Sequence, residues 1–177
     1  MKSHPPQSES NTMMAMAIMV ALGVILHRLE ALLPLPSPWI KLGLANLMTL
    51  VALVFLGFKE AVIVTFLRVV IGSILGGTFL GPTFFLSLVG SIAAIFIMDV
   101  LYQAAKNHMS LIGISIFGAY THTLATSICV YYFLIRESSF VTLLPFFFLL
   151  ALLTGKLTGT IANTLSSQMQ NITFNFK

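Results

Sequence analysis

Carboxylates are nearly absent from this chain. Its 177 residues include one aspartate, Asp99, and four glutamates, Glu9, Glu30, Glu60 and Glu137. Chemistry that works through paired carboxylates, or through a magnesium ion caged by them, has almost nothing to build with. Charge of either sign is scarce: 8% of residues are charged, against roughly a quarter in an ordinary soluble domain. The net charge of +4 is spread along the chain, which leaves no basic footprint for a nucleic acid. Cys129 is the only cysteine, so an internal disulfide and a cysteine-held metal cluster are excluded. In its apolar run it reads as a small core residue. A nucleotide-binding loop of the form Gly-x-x-x-x-Gly-Lys-Ser/Thr is missing too. Lys156 follows Gly155, but Leu157 comes next and no glycine precedes at the required spacing. No catalytic residue, metal or cofactor is expected.

Apolar side chains, by contrast, make up 58% of the chain. A soluble fold of this length lacks the polar surface to cover them, whereas a bilayer asks for an apolar exterior. A hydrocarbon core of about 30 Å takes about 20 helical residues. Six stretches meet or approach that length: 13–33, 43–58, 61–79, 84–104, 111–135 and 140–166. The expectation is an all-α integral membrane bundle of about six transmembrane helices. Residues 1–12 form a polar, disordered tail before it and residues 167–177 a short polar tail after it. The first apolar run has no small-residue cleavage site and reads as a membrane helix rather than a signal peptide. Thr12 is placed to cap it.

Breaks between the stretches carry turn chemistry. Pro34, Pro36 and Pro38 end the first helix and stiffen a loop that leads to Trp39 and Lys41. Gly57-Phe58-Lys59-Glu60 reads as a tight turn, as do Gly76, Gly77, Gly81 and Pro82, then Lys106-Asn107-His108, then Arg136-Glu137-Ser138-Ser139. With six spans, Lys2, Lys59, Lys106 and Lys177 share one side and Arg28, Lys41 and Arg136 the other. Four against three favours cytoplasmic termini in the cytoplasmic (inner) membrane.

Small residues recur four apart at Ala17/Ala21, Gly72/Gly76, Ser87/Ser91 and Gly155/Gly159, the spacing that lets membrane helices approach closely. Ionisable groups at membrane depth default to functional hypotheses. Arg68, Asp99 and Lys156 fall in one leaflet, and three readings stay open for them. They form a fixed ion pair that sets helix register, or a proton or ion relay, or they snorkel separately to the surface. His122 sits near the midplane of the fifth stretch. With Asn46, Thr78 and Ser87 it could line a polar cavity open to the outside; the alternative for a lone histidine is a hydrogen bond to a neighbouring helix. His27, Arg28 and Glu30 close the first helix and read as interfacial anchors.

The ordered motifs Lys41-Leu-Gly-Leu-Ala-Asn46, Gly57-Phe-Lys59-Glu60-Ala, Arg68-Val with Gly72, and Gly76-Gly-Thr78-Phe carry a resemblance. So do Ser87-Leu with Gly90, Met98, Gly113-Ile-Ser115, and Gly118-Ala with His122. From about Lys41 to Gly159 the chain resembles the Gx transporter family, whose members often bear the name heptaprenyl diphosphate synthase component I. It departs from that pattern after His122, where Thr123, Leu124, Ala125 and Thr126 replace an Asn and a Gly-Gln. The family in turn looks like the S components of energy-coupling factor (ECF) vitamin transporters. That likeness implies six helices, cytoplasmic termini and an outward pocket under the loop after helix one. It also implies an Ala-xxx-Ala ridge, here Ala17 and Ala21, that docks on a membrane coupling protein with its ATPase pair.

The synthase name conflicts with the composition, since prenyl diphosphate synthases hold magnesium through two aspartate-rich motifs and this chain has one aspartate. Three functions remain in view. The first is a membrane subunit that binds a small-molecule substrate for uptake. The second is an ion-coupled secondary transporter working through Asp99 or His122. The third is a non-catalytic membrane accessory of isoprenoid synthesis.

Overall fold

The computed structural model describes residues 6–32, 43, 44, 46–104, 109–134 and 138–175. Among these residues the chain is entirely helical, with six α-helices and no strand. They are α1 (Pro6–Ala31), α2 (Asn46–Phe55), α3 (Phe58–Leu75), α4 (Pro82–Ala104), α5 (Leu111–Phe133) and α6 (Ser138–Asn175). Four of them, α1, α4, α5 and α6, contain stretches of 22, 23, 23 and 29 residues long and apolar enough to cross a membrane. The protein is a multi-pass membrane helical bundle.

The two remaining helices depart from a plain span. α3 has 18 residues, about 27 Å of helix, and carries Lys59, Glu60 and Arg68. α2 has only ten residues, about 15 Å, half a bilayer. Its placement explains the shortness. Seven of its ten residues are buried, and it packs against α1, α3, α4 and α6, so it is the bundle's central helix. Leu50, Ala52 and Leu53 on α2, with Val64 on α3 and Ala94, Ile95 and Met98 on α4, form the core. Contacts fix the directions. Gly23 and Gly72 show α1 and α3 side by side in parallel, since Gly23 abuts Arg68 and Gly72 abuts His27. The Thr49–Thr65 and Asn46–Arg68 hydrogen bonds set α2 antiparallel to α3.

Helix ends differ from the expected boundaries. α1 begins at Pro6, so Thr12 lies inside it rather than capping it. Proline suits the first helical position, where no N–H is needed, and Glu9 complements the helix N-terminus. α6 likewise runs through the expected C-terminal tail to Asn175. Lys59 and Glu60 belong to the first turn of α3, and the reversal is made by Gly57 alone at φ +105°. The glycine turn between α3 and α4 forms as expected, with Gly77 at φ +65° and Pro82 opening α4. Ser110 caps α5, its Oγ accepting from the Gly113 N–H at 3.3 Å. The lid expected at residues 34–41, including Trp39 and Lys41, lies outside the described residues, as do Lys2, Lys106, Asn107, His108, Arg136, Glu137 and Lys177.

α5 packs between α4 and α6. A Cβ on Gly155 would stand 2.8 Å from the Ile116 Cα, and one on Gly159 2.6 Å from the Ile112 Cα. Here the two glycines admit a neighbouring backbone, and a Ser115–Thr158 hydroxyl pair at 2.8 Å closes the seam. Cys129 is half-buried beside Leu86, Val130 and Phe140.

Candidate functional site: an enclosed polar cluster

Arg68 is the centre of the site. It is 2% exposed, and a guanidinium in an apolar bundle is tolerated only when its donors and its charge are both met. Nη2 donates to Asn46 Oδ1 at 2.7 Å and to Ser91 Oγ at 3.1 Å, and Nε donates to Thr49 Oγ1 at 3.3 Å. Because Thr49 accepts from Arg68, its own hydroxyl hydrogen is available to Thr65, 2.8 Å away. Glu30, near the end of α1 and itself 4% exposed, lines the same small space as Arg68 and is the carboxylate placed to offset its charge. Glu30 Oε1 also accepts the backbone N–H of Gly43 at 2.6 Å. Gly43 holds φ +74°, and its carbonyl accepts the Asn46 N–H at 2.8 Å to start α2.

His27, Ser87 and His122 complete the cluster. With Glu30, Gly43, Asn46, Arg68 and Ser91 they surround a space of about 10 Å³, room for about one water molecule. Glycines make this closeness possible. A Cβ on Gly90 would meet His122 Nε2 at 2.8 Å, one on Gly72 would meet His27 at 2.9 Å, and one on Gly23 would meet the Arg68 side chain at 3.1 Å. Five helices thus contribute to one enclosed site: α1, the first turn of α2, the middle of α3, the first half of α4, and α5. The chemistry available is a fixed charge ringed by hydrogen-bonding groups, suited to holding and orienting a small polar molecule. Among the described residues no group of three His, Cys, Asp or Glu side chains is arranged to hold a metal ion.

The structure brings Asn46, Ser87 and His122 together, but not Thr78. That residue sits in the α3–α4 turn, its carbonyl bonded to the Gly81 N–H. Arg68 lies seven residues, about 10 Å of helix, before the end of α3, and Thr78 lies beyond that end. The expected network of Arg68, Asp99 and Lys156 does not form. Ser91, which bonds Arg68, and Asp99 are eight residues apart on α4, about 12 Å. Asp99 accepts instead from Gln103 Nε2 at 2.8 Å, and Lys156 is exposed on α6, beyond α5. Two antiparallel helices joined by the 76–81 turn set Arg68 level with Gly90 and Ser91.

Three readings of motifs change as well. Glu30 and His27 are part of the cluster rather than interfacial anchors. Ser91 is an Arg68 ligand rather than a packing residue. Gly72 and Gly76 receive the His27 and Arg28 side chains rather than a helix backbone. Glu30 was detectable as one of two carboxylates, with Asp99, beyond the first turn of an apolar helix, but the Gly43 N–H leaves no trace in side-chain chemistry. Ala17 and Ala21 are exposed. They line an apolar groove of about 660 Å³ between α1 and α3, with Val24, Ile63 and Leu67 on its walls.

Residues 19–165 match the sequence profile of the family described as heptaprenyl diphosphate synthase component I. No curated protein matches the chain, and no solved structure does.

Proposed function

The chain belongs to the heptaprenyl diphosphate synthase component I family, and from that premise we propose that it is a membrane subunit that binds a small molecule for uptake, in the manner of an ECF S component. The observation that carries this reading is the enclosed polar cluster. Arg68, Asn46, Ser87, Ser91 and His122 converge from four helices on one point inside an otherwise apolar bundle. A purely structural arginine needs a counter-ion and a few acceptors; it does not need two histidines and a flanking set of glycine notches.

The cluster lies toward the ends of α1 and α3 remote from the N-terminus. With cytoplasmic termini in the inner membrane it belongs to the outward half, and the α3–α4 turn with Thr78 stands on the side from which it opens. A space of about 10 Å³ is too small for a substrate, so binding requires the helices that line it to part. Energy comes from an ATPase pair through a membrane coupling protein, since the chain has no phosphate-binding loop of its own. The exposed Ala17/Ala21 pair, a low point in the apolar groove between α1 and α3, is the docking ridge.

The family's name speaks of one component of a synthase, which agrees with work alongside other subunits. Diphosphate chemistry would fall to those subunits: Asp99 is the only aspartate, and it is bonded to Gln103. Ion-coupled transport is the second reading. It is favoured by one observation, the presence of Glu30, His27 and His122 around the same small space.

The test is a pull-down of tagged protein from native membranes in mild detergent, beside a variant with Ala17→Leu and Ala21→Leu. An ATPase pair and a membrane coupling protein should accompany the wild type and be lost from the variant. Wild type emerging alone from a host that encodes such a module would contradict the proposal, as would a prenyltransferase in the eluate.

A further inference from the structure

Glu30 occupies a position that need not belong to a side chain of the protein. Its carboxylate takes a backbone N–H from Gly43 at 2.6 Å, and Glu30 shares with Arg68 the lining of one small space. A guanidinium and a backbone N–H together are a donor set that proteins use to hold a carboxylate. The side chain that fills the set is carried in the last turn of α1. A movement of that end withdraws the carboxylate and leaves the donors in place, because Arg68 is held independently by Asn46, Thr49 and Ser91 on α2 and α4.

We propose that the ligand of this site carries a carboxylate, and that Glu30 holds the carboxylate's place until the ligand arrives. The inference rests on reading the cluster as the substrate site. It assigns the ligand's chemical class: a small organic acid whose carboxylate pairs with Arg68 and the Gly43 N–H. The uncharged remainder of that acid meets Ser87 and His122. Glu30 then acts as a competitor from within the chain, which makes binding and the opening of α1 one event. Exchange of one carboxylate for another leaves the buried guanidinium neutralised throughout.

The experiment is rescue of a Glu30→Ala variant by formate. The variant is purified in a non-ionic detergent with formate present throughout, exchanged into chloride of equal ionic strength, and its unfolding temperature is followed as formate is returned. The expected result is a saturable rise of a few degrees with formate. The same titration should leave wild type unmoved, because its own carboxylate fills the site. It should also leave the Glu30→Ala/Arg68→Met double variant unmoved. If Glu30→Ala does not accumulate, Glu30→Gln carries the same test, since its amide oxygen still accepts from Gly43; it should respond at higher formate concentration.

No response beyond chloride would overturn the proposal. So would an equal response from the double variant, or failure of both single variants to fold even in formate. A stronger response to inorganic phosphate than to formate would overturn the carboxylate assignment. A response to phosphatidylglycerol micelles but not to formate would overturn it too, by pointing to a lipid headgroup. The measurement needs no coupling partner, so it can succeed where the pull-down fails and fail where the pull-down succeeds.

Discussion

The α5–α6 seam and the α1–α3 face are written in the same sequence pattern and do different work. Gly155/Gly159 and Gly72/Gly76 are both glycine pairs four residues apart. On α6 the pair lets a backbone in, with Ile116 and Ile112 Cα atoms 2.8 and 2.6 Å from the positions a Cβ would take. On α3 it lets polar side chains in: His27 lies against Gly72 and Arg28 against Gly76. The first arrangement is a rigid dry contact between helices that stay together. The second makes space for charge and hydrogen bonding next to Arg68, on a helix whose end must move if the site is to open. Close approach in a membrane therefore serves packing in one half of the bundle and a polar cluster in the other.

The largest effect expected from breaking this contrast is at Arg68. Arg68→Met leaves Glu30 buried without its countercharge and should cost about 3–5 kcal/mol, the usual consequence of breaking a buried pair from one side. Unfolding in mixed micelles reads this, and adding Glu30→Gln to the same chain should recover most of the loss. Next come the glycines. Gly159→Ala forces a methyl against Ile112 backbone and should cost about 1–3 kcal/mol through overpacking. Gly72→Ala meets only the His27 ring, which can turn, and alanine's helix preference of up to about 1 kcal/mol over glycine offsets the strain. Its stability loss should be smaller than that of Gly159→Ala, and an equal loss would erase the distinction between the two faces. The smallest effect is expected at Asp99. Asp99→Asn removes one partly exposed charge bonded to Gln103 and should change stability by less than about 0.5 kcal/mol.

Much of the architecture was legible because the bilayer makes hydropathy a strong signal. The cores of α1, α4, α5 and α6 were recognisable from apolar length, and the Gly76–Pro82 turn from its glycines. α2 was harder. Its apolar stretch begins at residue 43, and nothing in its composition says that half a bilayer's length suffices when every neighbour is protein. The grouping of Asn46, Ser87 and His122 was accessible from their depth along the expected helices, and so was the mismatch of Arg68 with Asp99. Counting back eleven residues and forward twelve from Phe79, in the turn, sets Arg68 against Ser91. The expectation of an Arg68–Asp99 pair followed opposite charge rather than that count. Glu30 was read as an anchor because helix ends are where anchors sit. Its burial depends on α1 lying against α3, a contact permitted by Gly72 and Gly76, and pairwise packing of that kind is not written in either helix alone.

The most direct measurement of the central claim is a pair of double-mutant cycles in one detergent system. One cycle combines Arg68→Met with Glu30→Gln and the other combines Arg68→Met with Asp99→Asn, with unfolding free energy as the readout. Residues that share a network couple by about 0.5–3 kcal/mol, whereas independent sites add. Coupling in that range between Arg68 and Glu30, with simple addition between Arg68 and Asp99, is the predicted result. Coupling to Asp99 with none to Glu30 would contradict it, and would dissolve the enclosed cluster as the site of binding.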